Sequence, residues 1–145
     1  MSDLIVGIDL GTTNSEVAAF VDGRVQVLGS GKSNILPSVV GLSSSGELLV
    51  GESARNQLVL YPERTVRSIK RKMGSTETVT LGDRRFTPPE ISALILRELA
   101  DWASRSLRQR IELVQGSLRA GGTPDGGFCL EATMPSYVPT TGATV

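Results

Sequence analysis

Apolar positions in this chain fall into short runs divided by glycine-rich and polar turns. Residues 4–10 are apolar except for Gly7 and Asp9, and their length and Ile/Val content predict a buried strand rather than a helix. The run SEVAAFV follows, then Asp22-Gly23, then RVQVL. Asp-Gly between two short apolar runs predicts a hairpin, because both central positions of the favoured turn need positive φ. A β-meander is therefore expected, with GTTN as the turn between its first two strands. Residues 29–33 read as a polar loop. ILPSVVGL reads as an extended segment, since Pro37 disfavours helix at Leu36. A turn over residues 43–47 and a short LLVG strand come next.

Helical patterning begins near Glu52. ESARNQLVL predicts a short helix that must stop before Pro62. Pro62 then opens another helix at its first position, with Val66, Ile69 and Met73 on one face and Gly74 closing it. TVTLGDRRFT predicts a second hairpin around Gly82-Asp83. Thr87-Pro88-Pro89-Glu90 fits a capping box, in which the hydroxyl takes the third helical amide and the carboxylate returns to the cap amide. Such a cap is typically worth about 1 kcal/mol. Ile91, Leu94, Ile95, Leu99 and Trp102 then make an apolar stripe, and the helix is expected to run to about Arg110. Beyond residue 112 the composition shifts: only Arg119, Asp125 and Glu131 carry charge, and five glycines fall between Gly116 and Gly127. Residues 1–112 are expected to form one folded unit. Residues 113–145 are expected to be a divergent Gly-rich tail, disordered or holding one strand in FCLEATM.

Composition narrows the chemistry. A length of 145 residues suits one domain or part of one. Lys+Arg and Asp+Glu both number 15, so no bulk positive charge is available to displace counterions, which argues against nucleic acid as the main partner. Histidine is absent, which excludes Ser-His-Asp and Cys-His catalysis and any His-ligated metal. The single Cys129 excludes an intramolecular disulfide and fits a reducing compartment. No basic region precedes an apolar run at the N-terminus, so no signal peptide is expected, and no apolar stretch reaches the roughly 18 residues that span a bilayer. The expectation is a soluble, cytoplasmic chain with no membrane partner.

The stretch GIDLGTTNS carries the candidate chemistry. A strand ending in Asp-x-Gly-Thr-Thr presents its carboxylate where backbone amides are free. Gly11 permits close approach or positive φ, consecutive amides form an anion-binding nest, and Thr12 and Thr13 add hydroxyl donors. Asp9 would repel phosphate unless a divalent cation lay between them; Mg²⁺ is held by one or two carboxylates plus phosphates and keeps several waters. The residues fit a Mg²⁺-nucleotide phosphate clasp. They equally fit a polar turn whose Asp and Thr cap their own backbone.

GIDLGTTNSEVA resembles the first phosphate motif of the DnaK-type 70-kilodalton heat-shock chaperones, a motif shared more loosely across the actin-like ATPase superfamily, sugar kinases included. ILPSVVGLSSSGELLVGESARNQLVLYPERTVRSIKRKMG resembles the family's next segment, and FTPPEISALILRELADWA the helix after it. The resemblance spans roughly residues 4–107 and implies an α/β fold: part of an actin-like (ribonuclease H-like) ATPase lobe, a mixed β-sheet with a long helix packed on it. It implies that Asp9 organises hydrated Mg²⁺, that Thr12 and Thr13 contact the phosphates of ATP or ADP, and that Gly11 and Asn14 shape the turn. Lys70 matches the family's catalytic lysine and Arg71 a residue that helps close the cleft. A fixed cation about 4 Å from shifting phosphate charge is worth roughly 1–4 kcal/mol at effective dielectrics of 80 to 20; without the resemblance, KRK reads as a solvated basic face.

The family couples ATP hydrolysis to binding and release of unfolded peptides, with co-chaperones as further partners. The resemblance fails after the long helix. ATMPSYV is a distant match to the family's next strand end, with Pro135 and Tyr137 in its special positions, and AGGTPDGG lacks the apolar strand that a second phosphate loop needs. The chain thus reads as the front of a chaperone ATPase domain with a divergent or out-of-frame end, expected to bind ATP weakly and turn over nothing measurable alone. Two other readings stand beside it: a sugar-kinase-type phosphotransferase, and a non-catalytic interaction module.

Overall fold

A computed structural model describes residues 5–21, 23–113, 117–122 and 128–133. Its first sheet is the expected antiparallel meander, β1 (Ile5–Asp9), β2 (Asn14–Val21) and β3 (Arg24–Leu28), in that order. Gly23 takes φ 74°, as the second position of an Asp-Gly hairpin turn requires. β4 (Leu36–Pro37) pairs with the start of β2, with Asn14 opposite Pro37 and Ser15 opposite Leu36. β5 (Val39–Leu42) is the centre of a second sheet. It is flanked by β6 (Leu48–Val50), which leads into α1 (Glu52–Gln57), and by β7 (Thr65–Arg67). β8 (Val79–Leu81) and β9 (Arg84–Phe86) form the hairpin read around Gly82-Asp83. α2 (Pro88–Leu113) follows, and β10 (Ser117–Gly122) pairs with β11 (Phe128–Thr133). The fold is α/β with a long helix packed on a sheet, and every pairing among the described strands is antiparallel.

The core forms where α2 crosses the meander. Ile91, Ile95, Leu99, Trp102, Ala103 and Leu107 are buried along the helix, against Val17, Ala19 and Leu28 on the sheet. Ser106 donates a hydrogen bond to the Gly29 carbonyl at 3.0 Å and fixes the far end of the helix. The start is fixed by the capping box: the Thr87 amide and hydroxyl donate to Glu90 at 2.7 and 2.9 Å, and the Glu90 amide donates back to the Thr87 hydroxyl at 3.4 Å.

That cap has a pH signature. The Thr87 backbone N–H, and then its hydroxyl, hold the Glu90 carboxyl below its ordinary value of 4.5. A carboxylate depressed in the folded state stabilises above its unfolded pKa, and the contribution is lost as pH falls through the folded value. The Tm difference between the wild type and Glu90→Ala should be full near neutral pH and close as pH drops below about 4.5, read by thermal melts across the acid range.

Three expectations are corrected. No helix runs from Pro62 to Met73. Pro62–Arg64 is a short 3₁₀ turn with proline in its first turn, β7 is extended, and Ile69–Lys72 is a second 3₁₀ turn. Val66 pairs opposite Val40, so completing the β5 ladder overrides a helical spacing that rested on three apolar positions. β1 is not a buried strand either. α2 covers only the inner face of the meander, and Ile5 stays 64% exposed on the other side. Lastly, two strands lie in the Gly-rich segment after α2, where FCLEATM alone predicted one. Pro135 and Tyr137 lie outside the described residues.

Register defines the outer face of the meander. Ile5 stands opposite Phe20 and Phe20 opposite Val25; Gly7 stands opposite Ala18 and Ala18 opposite Val27; Asp9 stands opposite Glu16. Phe20, Val25 and Val27 are 48%, 73% and 49% exposed. Among the described residues, no helix is long and apolar enough to cross a membrane.

Candidate functional site

The turn from Gly11 to Asn14 joins β1 to β2, and buried hydroxyls hold it. Ser15 points inward from β2 and accepts a hydrogen bond from the Gly11 amide at 3.2 Å. Ser38, also buried, donates to the Gly11 carbonyl at 2.8 Å, and its Oγ lies 2.8 Å from that of Ser15. The Ser38 amide donates to the Thr13 carbonyl at 2.8 Å. The turn is thus fastened from beneath at both ends. Gly11 serves close approach rather than positive φ: a Cβ there would run into the Asn14 carbonyl oxygen.

This fastening faces inward and leaves the outward donors free. Among the described residues, the amides and hydroxyls of Thr12 and Thr13 make no hydrogen bond. Thr12 is half-buried, and Thr13 and Asn14 are exposed. Asp9 is exposed at the end of β1 and pairs with no cation among the described residues. Its register partner is Glu16, and like charges directly opposite one another in a sheet repel. Both carboxylates line an open cleft of about 300 Å³ with Gly7, Ile8, Val17, Ala18 and Val27. Gly7, which has no side chain, leaves open space there: a Cβ added to it would meet nothing within 4 Å. Among the described residues, no group of three or more His, Cys, Asp or Glu could hold a metal on its own. A carboxylate is a group that can hold a hydrated Mg²⁺, and amide and hydroxyl donors suit the phosphate oxygens that would accompany it.

Lys70 and Arg71 are exposed on the 3₁₀ turn Ile69–Lys72 and do not line that cleft. Ser38 grips Gly11 and Thr13, its neighbour Val39 stands opposite Arg67, and Lys70 follows Arg67 by three residues. Ser68, at the head of the lysine turn, has φ 56° and ψ 34°, and is the one non-glycine with positive φ among the described residues. Such strain is worth roughly 1–2 kcal/mol and gathers where a segment must be aimed. The core anchor of the turn is Ile69.

The sequence reading found the turn and missed Ser15, Ser38 and Ser68. For the first two a signal existed: Ser15 falls on the inward parity of β2, and Ser38 interrupts an apolar run. Ser38→Ala removes the partner of a half-buried carbonyl and a buried hydroxyl, and should cost about 1–3 kcal/mol in urea unfolding. An unchanged midpoint would show that the fastening is idle.

A family model described as Hsp70 protein matches residues 5–79. The chain is 49% identical over 112 residues to the chaperone protein DnaK of Thermotoga petrophila, covering 76% of this chain and 19% of that protein. It is 54% identical over 99 residues to the DnaK of Thermotoga neapolitana, covering 67% and 17%, and 50% identical over 99 residues to that of Thermosipho africanus, with the same coverage. The chain therefore spans about a fifth of the length of the curated relatives it matches.

Proposed function

The chain belongs to the Hsp70 family, and from that premise we propose that it carries the first phosphate-binding part of a chaperone's nucleotide site. The observation that carries this reading is the Gly11–Asn14 turn, fastened by Ser15 and Ser38 while the donors of Thr12 and Thr13 make no hydrogen bond among the described residues. Those donors take phosphate oxygens of ATP or ADP. Asp9 would accept hydrogen bonds from the water shell of Mg²⁺, whose charge would offset that of the phosphates and of the facing Asp9 and Glu16 carboxylates. Asn14, paired to β4, holds the exit of the turn. Lys70 supplies a positive charge toward the terminal phosphate, and Arg71 closes on the nucleotide beside it. In the protein to which such a segment contributes, ATP hydrolysis is coupled to holding and releasing unfolded peptides, with co-chaperones, in the cytoplasm. The relatives are chaperones by name, which favours this reading over a sugar-kinase-type phosphotransferase.

Titration with Mg-ATP, followed by amide shifts in NMR, tests it. A turn that engages phosphates without the surface that buries a whole nucleotide should bind with a dissociation constant near 1 mM, or about −4 kcal/mol. The Thr12 and Thr13 amides should move first. Asp9→Ala should weaken the Mg-dependent part at least tenfold. Identical shifts in Asp9→Ala, or shifts that bypass Thr12 and Thr13, would refute the assignment.

A further inference from the structure

We propose that Met73 is a reversible oxidation site whose sulfur ties the lysine-bearing turn to α2. Met73 ends the 3₁₀ turn Ile69–Lys72, and its amide donates to the Lys70 carbonyl at 3.3 Å. Its side chain is 45% exposed, open to a small oxidant. On its inner side the sulfur accepts a hydrogen bond at 3.4 Å from the hydroxyl of Ser92, which sits in the first turns of α2 and is only 4% exposed. Among the described residues that hydroxyl makes no other hydrogen bond. The turn is thus moored at Ile69, buried in the core, and at Met73, with Lys70 and Arg71 between.

A thioether sulfur attacks a peroxide oxygen. The S–O bond forms as the O–O bond breaks, sulfur is oxidised to the sulfoxide, and the other peroxide oxygen leaves as water. Two thiols of a sulfoxide reductase reverse the change, giving thioether, disulfide and water. The two epimers of the product treat the contact differently. With the new oxygen on the Ser92 side, a small rotation of the flexible side chain lets that oxygen replace the sulfur as acceptor, and the Ser92 hydroxyl stays paired. With the oxygen toward solvent, the sulfur stops accepting and the buried hydroxyl is left without a partner. The solvent-facing epimer parts the turn from α2. That this moves a phosphate-facing cation rests on the nucleotide reading above; the oxidation and the parting do not.

The test treats the whole chain with hydrogen peroxide and follows peptide mass, Tm and amide hydrogen exchange without nucleotide. The chain has three methionines, Met1, Met73 and Met134. In the solvent-facing epimer, oxidation at Met73 should speed exchange across residues 69–73 about tenfold and lower Tm by a few degrees. A sulfoxide reductase should restore both. Met73→Leu conserves volume and should fold, and its remaining methionines should oxidise with no such change. Ser92→Ala should show the fast exchange before treatment and gain nothing from it. Resistance of Met73 to peroxide, unchanged exchange once it is oxidised, or an equal fall of Tm in Met73→Leu would overturn the proposal. Absence of Mg-ATP shifts at Thr12 and Thr13 would sink the nucleotide reading and leave this one standing.

Discussion

Gly51→Ala should lower the unfolding free energy by about 2–6 kcal/mol, from roughly 1–3 kcal/mol of backbone strain and a similar overpacking term. Gly51 precedes α1 at φ 74° and ψ −130°, a combination that a side chain rarely adopts. A Cβ there would also meet the Leu36 methyl group Cδ1. Leu36 cannot retreat, because it is buried in the core and paired opposite Ser15. Relief must therefore come from β4, one residue from the serine that fastens the candidate phosphate turn. Gly46→Ala separates the two terms: Gly46 has φ 84°, yet its nearest neighbour is an Arg84 guanidinium nitrogen at 3.8 Å. It should show the strain without the collision. Equal urea midpoints for the two variants would refute the collision.

Leu99→Ala should cost about 2–5 kcal/mol through lost transfer energy and the cavity left behind. Leu99 is fully buried midway along α2, between Ile95 and Ala103, where the helix crosses the meander. Against a total stability of roughly 5–15 kcal/mol, that loss is a large share. Leu96→Ala, at a half-exposed position on the same helix, should stay within about 0.5 kcal/mol. If both variants melted alike, α2 would not be the element that closes the core.

The sequence showed most where local rules and tertiary packing agree. The capping box at Thr87–Glu90, the stripe from Ile91 to Trp102 and the two glycine-bearing hairpins are each written within a few residues, and the structure keeps them all. Residues 62–73 went wrong because the deciding partner, Val40, lies far away in sequence and turns Val66 into a ladder residue. The burial of β1 was misjudged because an apolar strand does not say how many of its faces are covered.

For the site, Asp9 and the Gly11–Asn14 turn were readable from residue type and spacing. The inward fastening was not, since Ser38 belongs to a different strand and its bonds exist only after folding. Resemblance supplied Lys70 and Arg71. Their turn follows β7, whose Arg67 stands opposite Val39.

The uncovered row of Ile5, Phe20 and Val25 carries a practical consequence. Lyotropic ions, being excluded from protein surfaces, strengthen the drive to hide such a face. Ammonium sulfate should therefore precipitate the folded chain at low concentration, while dilute, low-salt buffers keep it dispersed. A preparation concentrated for spectroscopy should be judged by light scattering before its melting curve is believed.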